Sequence, residues 1–78
     1  MEEINSATEI SRTIGTVTII RHYEGMWSIE TTWGGFAVHL NALSAARIAH
    51  EWYGVPKDEA RQAVADIMAT ARRTPAGV

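Results

Sequence analysis

Not one cysteine occurs in the 78 residues, so neither a disulfide nor a thiolate zinc site staples this fold, and its stability has to come from packing. That usage is compatible with a reducing cytosol. No apolar stretch approaches the roughly 20 residues of a membrane-spanning helix. The opening MEEINSATEI has neither the basic start nor the apolar run of a secretory signal. The expectation is a soluble, intracellular chain. Charge is not in excess in either direction: seven basic against nine acidic residues give a net charge of -2. That is too little for a strong phosphate-backbone binder and too little for an acidic mimic of nucleic acid. Recognition of a partner by shape and local contacts is the class left standing. Internal repeats and low-complexity tracts are missing as well.

What remains is 46% apolar and 21% charged residues, ordinary for a globular domain. Chains this short bury only roughly 60% of the surface their unfolded form exposes, which leaves room for one domain and one thin core. Residues 1–13 are polar and weakly patterned, read as weakly ordered or as an edge strand. From Ile14 the β-branched run IGTVTIIRH reads as a strand that stops at YEG, where Gly25 suits a tight hairpin. A three-residue YEG loop sends Val17 and Ile19 inward, and a two-residue EG loop sends Ile20 and Thr18; burial of the stiffer aliphatic pair favours the first. The second strand runs over 26–33 to Gly34-Gly35, read as a two-residue hairpin loop, and the third over 36–40.

That loop pairs Trp33 with Phe36, Thr31 with Val38 and Ile29 with Leu40. Trp27, Ile29, Thr31, Trp33, Phe36, Val38 and Leu40 then share the core face. Met26, Ser28, Glu30, Thr32, Ala37 and His39 fall on the open one. Asn41 suits the N-cap of a helix reaching Tyr53, with Ala45, Ile48, Ala49 and Trp52 as its apolar stripe. Gly54 and Pro56 mark the join to a second helix. Its first turn holds Asp58 and Glu59, its last Arg72 and Arg73, and its stripe is Ala60, Val64, Ile67 and Ala71. The expected architecture is α+β: three or four antiparallel strands over 14–40 and two helices over 41–73 packed on one sheet face, with a tail at 74–78.

Chemistry is sparse. His22, His39 and His50 lack the close spacing of ligands on one element and read as solvated or locally bonded, so no metal and no cofactor is expected. Asp58 and Glu59 are adjacent in a helical first turn and point in different directions, serving the helix dipole rather than acid–base work. Gly34-Gly35 joins two strands and so is no phosphate loop. No serine sits in a nucleophile elbow. The expectation is a protein that is not an enzyme. A base-stacking sheet would need aromatics and basic neighbours on its open face, where this register puts Glu30. Tyr23, at the hairpin tip, is the main exposed aromatic.

YEG, the SIE of the following strand, EWYGVP, RQAVADI and RRTP together resemble small phage-encoded anti-CRISPR proteins that inhibit type I (Cascade-type) surveillance complexes, in particular the kind that sits on the crRNA-bearing backbone. The resemblance covers roughly residues 23–75, and EWYGVP is its best piece. A further tyrosine near that family's N-terminus has no counterpart in MEEINSATEI, and the first hairpin here is shorter. The resemblance implies strands followed by two helices and a stoichiometric inhibitor that sterically blocks target-DNA hybridisation in the host bacterial cytoplasm. Its partners would be Cas proteins, the backbone subunit first, without direct nucleic acid, membrane or cofactor, as a monomer or weak dimer. Tyr23 and Glu30 match that family's gripping positions. Arg21, Met26 and Ser28 lie nearby on the same strand pair, and Arg72 and Arg73 are further contact candidates. A small nucleic-acid-binding accessory protein of a phage or mobile element is the alternative, and a small enzyme subunit or toxin-system component a third.

Overall fold

In the computed structural model, which describes residues 9–22 and 25–73, the β-branched runs ISRTI and VTIIR form β1 (Ile10–Ile14) and β2 (Val17–Arg21). Two further strands follow, β3 (Trp27–Thr31) and β4 (Phe36–Leu40), and then α1 (Ala42–Glu51) and α2 (Lys57–Arg73). The sheet is antiparallel with order β1-β2-β3-β4, so each strand pairs with its neighbour in sequence. The α+β class, the two helices after the strands and the fourth strand are all as the sequence allows. The expected single strand starting at Ile14 is corrected: Ile14 pairs with Val17 across a two-residue Gly15-Thr16 loop. Gly15 takes φ +63, the positive first position of a type II′ turn. Within the polar 1–13 stretch, the described part supplies the edge strand β1.

Register decides what is buried. Ile19 stands opposite Ile29 and Arg21 opposite Trp27, which turns Val17, Ile19, Trp27 and Ile29 to one face, all buried. Val17 and Ile19 are thus inward, as the three-residue loop requires. His22 N donates to Met26 O at 2.6 Å, leaving positions 23–25 between them; Tyr23 and Glu24 lie outside the described residues. The helices cover that face with small side chains, Ala45 and Ala49 from α1 and Ala60 and Ala63 from α2, together with Ile67 and Val55. Alanines bring a helix close to the sheet, and close approach is what fills so thin a core without voids. Each buried large side chain here contributes roughly 1.5–3 kcal/mol.

Asn41 is the N-cap as expected, its Oδ1 accepting from Ser44 N at 2.8 Å. The first helix ends sooner than the sequence suggests, at Glu51. Trp52 is its C-cap and is exposed, which removes it from the expected apolar stripe. Gly54, at φ +79, turns the chain so that Gly54 N reaches His50 O (3.2 Å) and Val55 N reaches Ala49 O (3.0 Å). His50 Nδ1 lies 2.9 Å from Val55 O and fastens the same turn.

Candidate partner-binding face

The β3–β4 hairpin corrects the expected face. Its loop is Thr32-Trp33-Gly34 rather than Gly34-Gly35. Thr31 N donates to Gly35 O (2.9 Å), Gly34 N closes a turn onto Thr31 O (3.3 Å), and Gly34 takes φ +101. This is the three-residue loop with a glycine in positive φ at the bulge position. Thr31 reinforces it with its side chain: Gly35 N donates to Oγ1 at 2.7 Å, and Oγ1 donates to Gly35 O at 3.0 Å.

One residue of loop reverses a strand. Glu30, not Trp33, now stands opposite Phe36, and Ile29 stands opposite Ala37. Phe36 and, two residues on, Val38 therefore turn outward with Glu30. Phe36 is 67% exposed and Val38 is exposed as well. A second irregularity restores the pattern at the far end. One residue of β3, Ser28, opposes two of β4, Val38 and His39, between the Ile29–Ala37 and Trp27–Leu40 pairs, and His39 absorbs the surplus at φ +63. Leu40 thereby returns to the core side, packed against the buried cluster.

Trp33 leaves the strand alternation at the loop tip and is 60% exposed. Its indole folds back over Gly35, where a Cβ would lie 2.7 Å from a ring carbon. Its centroid is 5.7 Å from that of Tyr53, which in turn lies 6.4 Å from Trp52. Three rings thus run from the hairpin tip to the end of α1.

The sheet face turned from the helices carries exposed Glu30 beside Phe36 and Val38, with exposed Met26 just before β3. Of the other sequence candidates, Ser28 lies on this face but is only 5% exposed, so it is not presented for contact. Arg21 shares the side of Trp27, and its Nε is buried with no hydrogen bond among the described residues. Arg72 and Arg73 are the last two positions of α2. Tyr23 falls outside the described residues. Phe36, Val38 and Trp33 are the exposed residues that the sequence reading placed in the core. The signal was the tetrad TWGG, which fits a three-residue loop as well as a two-residue one.

Ser28 is covered by a contact absent from the sequence reading. His22 Nε2 lies 2.7 Å from Ser28 Oγ, and His22 Nδ1 lies 2.9 Å from a Glu9 carboxylate oxygen. Carboxylate, imidazole and hydroxyl are in the order of a nucleophilic relay. A serine this deeply covered leaves no space for an acyl group to reach Oγ, so the three side chains read as a clip. The clip ties the residue before β1 to the second residue of β3 across the end of β2. Among the described residues there is no group of three or more histidine and carboxylate side chains placed to hold a metal ion. No helix there is long and apolar enough to cross a membrane.

The chain matches no protein-family model, no curated protein and no solved structure.

Proposed function

We propose that this chain works by binding rather than by catalysis, as an inhibitor that docks on a type I CRISPR surveillance complex. Its outer sheet face would sit on the crRNA-bearing backbone and sterically block pairing with target DNA. The observation that carries a docking role is the company Glu30 keeps: one exposed carboxylate beside exposed Phe36 and Val38, on the sheet face that the helices leave uncovered. Large apolar side chains clustered around a single charge on a monomer's surface are the usual mark of a protein contact. The identity of the partner rests on the resemblance through YEG, SIE and EWYGVP. On this reading the protein needs no cofactor and acts in the bacterial cytoplasm.

The test is co-elution with assembled surveillance complex and loss of that complex's DNA gel shift. Glu30→Arg and Phe36→Ala should each restore the shift while leaving the thermal midpoint within a few degrees. Full DNA binding at excess protein would sink the steric mechanism. Exposed Trp33 and Phe36 also supply rings on which bases stack, which keeps the nucleic-acid-binding reading in view. Salt-sensitive binding of labelled single-stranded DNA or RNA by the chain alone would favour that reading instead.

A further inference from the structure

A cleft of ≈ 340 Å³ lies between α1 and the first turns of α2, and no residue of the sheet lines it. Three of the chain's seven Lys and Arg residues, Arg47, Lys57 and Arg61, line it against, among the described residues, a single carboxylate, Glu51. In a chain whose net charge is -2, that is a local concentration of positive charge. Among the described residues, none of the three cations makes an ion pair or a hydrogen bond, with Glu51 or with anything else. All three are exposed. Lys57 and Arg61 are one helical turn apart on α2. Leu43 and Arg47 are one turn apart on α1, so the two helices each offer the cleft a matched pair of positions. Leu43 is 81% exposed, the most exposed of the large apolar side chains described.

We propose that this cleft is a second docking surface and that it takes an acidic segment of a partner protein bearing one large apolar side chain. The three cations would pair with carboxylates while the apolar group covers Leu43. Arginine favours carboxylate recognition by its planar, two-pronged donors. A nucleic acid strand fits less well, since a phosphodiester backbone offers no apolar side chain to cover Leu43. The surface is separate from the Glu30 face and stands or falls without it.

The probes are dye-labelled hexapeptides EDLFEE, EDFLEE and EDWLEE, titrated by fluorescence anisotropy against the whole protein. Saturable binding of at least one is expected. It should weaken at least tenfold in the double variant Arg47→Glu/Arg61→Glu and about threefold in Leu43→Ala, with Glu30→Arg unaffected. All these positions are exposed, so circular dichroism melting serves as the check that each variant folds. No binding of any peptide up to 1 mM, or binding untouched by the double variant, overturns the proposal. Tighter binding of hexathymidine than of every peptide overturns it in favour of a nucleic-acid site.

Discussion

Phe36 stands directly opposite Glu30 in the β3–β4 ladder, and both point away from the helices, while the next residue along β3 toward its start, Ile29, is fully buried. The two sides of one strand pair therefore have opposite sensitivities. Phe36→Ser should change unfolding free energy by no more than about 0.5 kcal/mol. Ile29→Ala should cost about 2–5 kcal/mol, a large part of what so small a domain has. Urea titration of the two variants checks the register: a two-residue Gly34-Gly35 loop would make Phe36 the costly position.

The loop itself offers a second measurement. Gly34 holds φ +101, where any side chain is strained although the space around it is open. Gly34→Ala should destabilise by roughly 1–2 kcal/mol. At Gly35 the obstacle is different, because an added methyl meets the Trp33 ring at 2.7 Å. That ring is exposed at the loop tip and is free to swing. Gly35→Ala should thus alter the near-ultraviolet circular dichroism, by separating Trp33 from Tyr53, with a smaller stability loss than Gly34→Ala. Equal losses with an unchanged spectrum would contradict the packing of Trp33 on Gly35.

The clip of Glu9, His22 and Ser28 predicts an asymmetry. His22→Ala leaves the covered Ser28 hydroxyl without its partner, which should cost about 1–3 kcal/mol. Adding Ser28→Ala to that variant removes the stranded hydroxyl and should recover part of the loss. A double-mutant cycle by chemical denaturation measures this, and a double variant no more stable than His22→Ala would refute the contact.

Local chemistry made the skeleton legible: Asn41 announces the first helix, Gly54 its end, and the valine and isoleucine run of β2 its inward face. Two things were hidden for physical reasons. Gly15 closes a hairpin inside a run of β-branched residues, and such a run looks continuous when propensity alone is read. In TWGG, either glycine can supply the turn, and the choice inverts the outlook of Phe36 and Val38. Composition gives no hint of the Glu9–His22–Ser28 clip, whose members lie on or beside three different strands and meet only once the register is known. The outward Glu30 was readable because it follows from β3 alone, whichever loop comes after it.

Because, among the described residues, each strand hydrogen-bonds only to its immediate neighbours in sequence, and the helices follow in turn, the sheet assembles by closing short loops one after another. Short closures lose little entropy, and proteins of such local topology reach their final shape quickly, on the order of milliseconds. Speed of maturation is the consequence: a freshly synthesised copy is ready almost as it leaves the ribosome.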